Sequence, residues 1–238
     1  MQFSDNTNNT GIVQQVRSMM RVDATQWPTY QVVNSVNNYL DTITGYAIGA
    51  DRRFQFDDSN HTKLPIGTTD LTATQSDYSF LTDEQGNSIL NLLRIDILDD
   101  NGDWRKMTPI DEADINIALD EFEENNGDPI YYDKIADNII RLYPTPDTTV
   151  SAGLKFYFQR TPSYFAATDT TKEPGVSPLL HRGFVVNAAY DGAMTLGLQN
   201  LQALASERQE EYGKMTQAFD NRNTDETAVM SPPYVNAE

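Results

Sequence analysis

The feature that most constrains this chain is a double change of hydrophobic period. Apolar residues recur at helical spacing over the first fifty residues, at alternate positions between Arg52 and Arg160, and again at helical spacing from Pro178 onward. Such a pattern predicts an α+β fold. An N-terminal helix pair (residues 1–50) and a long C-terminal helix (166–221, with its leading loop) form a helical bundle. A central antiparallel β sandwich or barrel-like insertion (51–165) interrupts it, and 222–238 follow as an extended tail. At 238 residues the chain has room for one large domain, or one domain plus a small helical subdomain.

Ile12, Val13, Val16, Met19 and Met20 make the stripe of a first amphipathic helix, behind the capping-type residues Asn9 and Thr10. Trp27-Pro28-Thr29 opens a second, with Val32, Val33, Val36, Tyr39, Leu40, Ile43 and Tyr46 at helical spacing, so the two are expected to pack as an antiparallel pair. Ser177-Pro178 supplies an N-cap and an N1 proline for the C-terminal helix. Leu179, Leu180, Phe184, Val185, Ala188, Ala189 and Ala193 line one side of it, and Gly183, Gly192 and Gly197 let another backbone come close, with a kink expected at Gly197. Continued through Leu201, Leu204, Ala205, Tyr212, Met215 and Phe219, it would reach ~60 Å at ~1.5 Å per residue.

In the middle, Phe54 and Phe56 alternate on a first strand. Leu93, Ile95 and Ile97 fall on one face of the next secure strand and Arg94 and Asp96 on the other, before Asn101-Gly102, a pair suited to a type I′ hairpin, and Trp104 on the return. Ile139–Tyr143 and Leu154–Phe158 give two more, the latter with Leu154, Phe156 and Phe158 inward and Lys155, Tyr157 and Gln159 outward. Between strands, Asp111 to Asp128 holds eight acids and no base, and Ile115, Ala118, Leu119 and Phe122 at helical spacing predict a short helix over 111–124 with one acidic face.

Seventeen Lys and Arg stand against 35 Asp and Glu, a formal net charge of −18. That balance repels phosphate and excludes DNA as an adhesive partner, while suiting a wall that DNA slides past. With no Cys, disulfides, thiolate metal sites and a Cys nucleophile are excluded. The start of the chain has no basic and apolar leader pattern and no run reaches the ~18 apolar residues of a membrane span, so a role without membrane insertion is expected.

The chemical inventory predicts no enzyme. His61 and His181, the two histidines, lack metal-ligand spacing, and no nucleophile elbow, phosphate-binding loop or dinucleotide fingerprint occurs, so no catalytic residue, cofactor or metal is assigned. Asp99-Asp100-Asn101-Gly102-Asp103 has a calcium-loop look, but with Gly102 at the sixth position the first ligand would be Ile97, so it reads as a turn. Carboxylate pairs for a glycan hydrolase are too abundant among 35 acids to point anywhere. Trp27, Trp104 and the twelve tyrosines leave a tail-associated carbohydrate- or receptor-binding module as the alternative.

Gly127-Asp128-Pro129-Ile130-Tyr131-Tyr132, Ile139-Ile140-Arg141-Leu142-Tyr143-Pro144-Thr145-Pro146 and Leu154 to Pro162 resemble the central portion of tailed-bacteriophage head-to-tail adaptor proteins. Pro174-Gly175-Val176-Ser177-Pro178-Leu179-Leu180-His181 through Tyr190 is similar to their loop into a long helix, and the N-terminal helices fit as well. The resemblance implies a virion structural protein of the neck, assembled in the host cytoplasm. It implies a ring of about twelve copies below the portal, contacts with the portal and with a downstream tail or neck protein, and DNA passing without specific binding. Asp114, Asp120, Glu121, Glu123 and Glu124 are then candidates to face the conduit. Val229, Met230, Pro232, Pro233, Tyr234 and Val235 are candidate anchors of a polar tail that needs a portal or a neighbouring subunit to order it.

Overall fold

The computed structural model describes residues 1–50, 66–84, 86–99, 102–110 and 126–220. The strand expected at Phe54 and Phe56, the acidic helix over 111–124, His61 and the tail from 222 lie outside the described residues.

Helix α1 (Ile12–Met20) buries Ile12, Val13, Val16 and Met20. Its N-cap is Gly11, with no side-chain cap bond; the Thr10 hydroxyl donates instead to Asp5 Oδ2 at 2.7 Å. Asp5 also accepts the N–H groups of Thr7 and Asn8, and these donors, the Asn8 N–H foremost, hold its carboxyl down at about 2. Helix α2 (Thr29–Ala50) buries Val32, Val36, Tyr39, Leu40, Ile43 and Ala47. Tyr46, expected among them, is exposed because the cleft beside Gly45 and Gly49 stays open there.

The two helices do not pack chiefly on each other. Both lie on α3 (His181–Leu196), which is buried nearly all round from Gly183 to Ala193 and therefore presents no single stripe. Small residues make this possible: a Cβ at Gly183 would meet the Tyr39 ring, and one at Gly192 would meet Met20 and Trp27. Those glycines admit side chains rather than another backbone. Leu179, expected on the packed side, is 85% exposed in the 3-10 turn Pro178–Leu180 that precedes α3.

The single ~60 Å helix does not form. Gly197 adopts φ 65°, ψ 38° as the C-cap of α3, and the Leu198 N–H reaches back to the Ala193 carbonyl at 2.9 Å, a Schellman closure that glycine permits at low steric cost. Helix α4 (Leu201–Asp220) then returns along α3 and buries Leu204, Met215 and Phe219. Among the described residues, side chains from helices α1 to α4 join Phe3, Phe165 and Val176 in one core.

His181 opens α3 and is 2% exposed. Its Nε2 lies 3.0 Å from the Val176 carbonyl and its Nδ1 2.7 Å from the Met1 amino group. A neutral ring donates to the first and accepts from the second. Burial, then the Met1 ammonium, pushes its pKa below the ordinary 6.5. As pH falls below about 6.5 the unfolded chain takes up this proton before the folded one does, so stability present at neutral pH is lost on acidification. The thermal midpoint should fall between pH 7.5 and pH 5, and His181→Gln should flatten that fall; an unchanged slope would show that His181 does not carry it.

Among the described residues the β part contains two four-stranded sheets. One has the order β1 (Ile66–Leu71), β10 (Val150–Arg160), β3 (Ile89–Leu98), β4 (Trp104–Lys106) and is antiparallel throughout. The other has the order β2 (Asp77–Ser79), β8 (Ile139–Tyr143), β7 (Tyr131–Ala136), β5 (Thr108–Pro109). There β5 joins in parallel, as does the short pair β6 (Asn126–Gly127) and β9 (Thr145–Pro146), so the insertion is not antiparallel throughout. Leu71, Ile95, Ile97, Leu154, Phe156 and Phe158 of the first sheet share one core with Tyr78, Ile140 and Leu142 of the second. Gln159, read as outward, is 4% exposed, and register shifts on both sides of it disturb the alternation there; Asp96 keeps the outward side but is 2% exposed, paired with Arg94.

The hairpin forms, with a different turn. Asp99 N–H donates to the Asp103 carbonyl and Gly102 N–H to the Asp99 carbonyl. The ladder thus closes around three residues, with Gly102 at φ 83° in the left-handed position of such a loop. A Cβ there would meet nothing, so Gly102→Val isolates backbone strain and should cost about 1 kcal/mol or more in denaturant titration. Unchanged stability with loss of cation binding would restore the calcium reading. Ile97, which that reading needs as a ligand, is fully buried in the core.

Candidate interaction surfaces

The docking candidates Val229, Met230, Pro232, Pro233, Tyr234 and Val235 lie outside the described residues, as do Asp114, Asp120, Glu121, Glu123 and Glu124. The two ends of the acidic segment are described. Ile110 N–H donates to the Tyr132 carbonyl, and Asn126 pairs with Thr145. Asp128 just beyond it accepts from Arg105 Nη2 at 2.9 Å.

The outer face of the β1-β10-β3-β4 sheet follows from its register. Residues paired across an antiparallel ladder share a face: Thr68, Lys155, Asp96 and Lys106 form one row, Ile66, Tyr157 and Arg94 a second, and Leu98 and Trp104 a third. Leu154, Phe156, Ile95 and Ile97 point the other way, into the core. Three cations and two aromatic rings therefore share one face of a chain with net charge −18. Lys155 Nζ sits 3.6 Å from the Trp104 ring centroid and the Arg94 guanidinium 5.5 Å from that of Tyr157. The one carboxylate in these rows, Asp96, accepts from Arg94 Nε at 2.6 Å. That bond raises the Arg94 pKa, while burial, then Asp96, raises that of Tyr157. Lys106 is exposed, and Asp96, its ladder partner, is held by Arg94.

Alternation alone marks Arg94, Lys155 and Tyr157 as outward. It could not set Lys106 and Trp104 beside them, because that needs the register of β3 against both neighbours.

On the helical side, Arg208 lies 4.6 Å from the Tyr190 ring and 5.3 Å from that of Tyr212. Its Nε donates to Asn187 Oδ1 at 2.8 Å, which ties α4 to α3. A cleft of ~510 Å³ between α2 and α4 is lined by Asp41, Gly45, Tyr46, Gly49, Phe219 and Asp220 among others. Asp41 there accepts the Tyr164 hydroxyl at 2.6 Å and raises its pKa to about 12. Trp27 is buried in the helical core, and one face of Trp104 carries the Lys155 ammonium, so the two tryptophans do not make a paired sugar platform. Among the described residues no cluster of three or more His, Asp or Glu is placed to hold a metal, and no helix is long and apolar enough to cross a membrane.

Among the described residues a helical core and a β core with a charged sheet face define an α+β protein. The chain belongs to the SU10 adaptor protein family, whose model matches residues 8–235, a family of phage head-to-tail adaptors. No curated protein matches it. Membership makes the chain a bacteriophage structural protein of the virion neck and implies contacts with portal and tail proteins.

Proposed function

We propose that about twelve copies of this chain close into a ring below the portal, join capsid to tail and line the passage for DNA. The family match, spanning residues 8–235, carries this reading. The net charge of −18 supports the passage role, since a wall that repels phosphate lets DNA move without sticking. In this reading residues 1–50 and 166–221 form the portal-facing helical part, 51–165 project toward the tail, and the ring assembles in the host cytoplasm without membrane, cofactor or catalysis. Asp114, Asp120, Glu121, Glu123 and Glu124 contribute to the acidic wall.

The segment 222–238 docks on the portal or on a neighbouring copy. Val229, Met230, Tyr234 and Val235 are its apolar anchors, and Pro232-Pro233 stiffens the chain between them, which reduces the entropy lost on docking. Deleting Ala228 to Glu238 should leave the thermal midpoint of the isolated subunit almost unchanged, weaken its attachment to purified portal, and yield heads without tails. Fully infectious particles from the truncated protein would contradict the docking role.

A further inference from the structure

We infer that the pocket around Arg208, between α3 and α4, receives a carboxylate side chain of the neighbouring copy of this chain. The inference rests on the ring reading above and names one contact that would hold two copies together.

Arg208 is fixed in place without being neutralised. Its Nε donates to Asn187 Oδ1 at 2.8 Å, and Asn187, 3% exposed, is itself anchored through Nδ2 on the Gly183 carbonyl. The rings of Tyr190 and Tyr212 lie against the guanidinium. Its remaining hydrogen bond, from Nη2 to the Tyr212 hydroxyl, is long at 3.4 Å. The carboxylates at neighbouring positions are engaged elsewhere: Glu207 with Arg182, Glu211 with Lys214, and Asp191 with the Ser35 side chain. Among the described residues no carboxylate forms an ion pair with Arg208. It opens instead on a pocket of ~240 Å³ lined by Tyr190, Ala205, Gln209 and Tyr212. A guanidinium held in one plane offers paired N–H groups that match a carboxylate, and arginine beside tyrosine is the composition that carries interface energy.

The occupant follows from the charge of the chain. Copies that each carry −18 repel when brought side by side, so a stable contact must set a cation of one against a carboxylate of the next. A ring joins two different surfaces of the same subunit, and with 35 acids against 17 bases the neighbour's surface is rich in carboxylates. A nucleic-acid phosphate fits less well, because the net charge repels it and the pocket holds one guanidinium rather than a row of cations.

Gln209, exposed at the pocket, allows a test that changes charge and not shape. Rings of full-length chain would be assembled on purified portal, and the subunit concentration at half-completion read by sedimentation. Gln209→Glu should raise that concentration about tenfold with the thermal midpoint of the subunit unchanged, and Gln209→Lys should lower it. Gln217→Glu, exposed two turns further along α4, adds the same charge away from the pocket and should have little effect. Because the chain has no Cys, Gln209→Cys can carry a single benzophenone maleimide. In rings mixed from ¹⁵N-labelled and unlabelled chain, illumination should then give mixed-isotope adducts. Equal weakening by Gln209→Glu and Gln217→Glu, or weakening by Gln209→Lys, would show that summed charge or shape governs the contact and overturn the inference. Adducts to the portal alone would overturn the neighbouring copy as occupant. Rings that form normally with Gln209→Glu would overturn it while leaving the ring reading intact. If the unsubstituted chain forms no ring on portal, the ring reading itself fails and the inference with it.

Discussion

Replacing Gly183 with alanine should lower the stability of the protein by about 2–3 kcal/mol, and with leucine should prevent the helical part from folding. The added Cβ would fall on the Tyr39 hydroxyl, with Cζ at 2.9 Å and Cε1 at 3.0 Å. Tyr39 has little freedom to move aside. It is 3% exposed and meets Phe184 and Tyr212 edge-on at centroid distances of 5.0 and 5.8 Å. Burial, then Tyr212, also pushes its pKa well above the usual tyrosine value, so ionisation offers no relief at ordinary pH. Tyr39→Phe removes the clashing atom and should recover part of the loss in a Gly183→Ala background, a coupling readable from a double-mutant cycle in urea. A cost for Gly183→Ala below about 0.5 kcal/mol would mean that α2 and α3 yield to each other and are not in close contact.

The second large effect belongs to the β part. Arg160 and Asp83, with side chains 5% and 11% exposed, face each other at 3.3 Å. Asp83 also organises its own turn, accepting the Asn87 N–H at 2.7 Å and the Asn87 side-chain amide at 2.9 Å. Asp83→Ala leaves the guanidinium buried without its carboxylate and should cost about 3–5 kcal/mol. Asp83→Ala with Arg160→Met removes both charges and should recover much of that, less the share lost with the turn. Denaturation followed by the fluorescence of Trp104, on β4, in a Trp27→Phe background reads this part directly. If the double variant is no more stable than Asp83→Ala alone, the ion pair does not govern stability at this site.

Much of the secondary structure was legible because period alone fixes it. The stripes of α1 and α2, the inward Leu154, Phe156 and Phe158, and the hairpin before Trp104 all follow from spacing. The C-terminal helix was misjudged at Gly197. A glycine inside a helical pattern either kinks it or ends it, and the outcome here turns on whether α4 has a surface to fold back on, which α3 supplies. The expected helix pair failed for a related reason. Gly183 and Gly192 signalled close packing, but only the tertiary structure shows that α3 is enclosed by both N-terminal helices. Tyr46 and Leu179 follow the helical period yet stay exposed, since spacing sets a face and neighbours decide whether it is covered. The cationic sheet face was half visible, as outward positions on two strands. Its third cation and its tryptophan enter only through register, a non-local property.

The central claim is the ring between capsid and tail, and electron cryo-imaging of the neck of the assembled virion tests it most directly. The account predicts a closed ring of about twelve copies of this chain directly below the portal, with α1 to α4 toward the portal, the β sheets toward the tail, and an acidic inner wall around the DNA. Finding the chain at the tail tip, on the capsid exterior, or below the portal as isolated copies without a closed ring would contradict it.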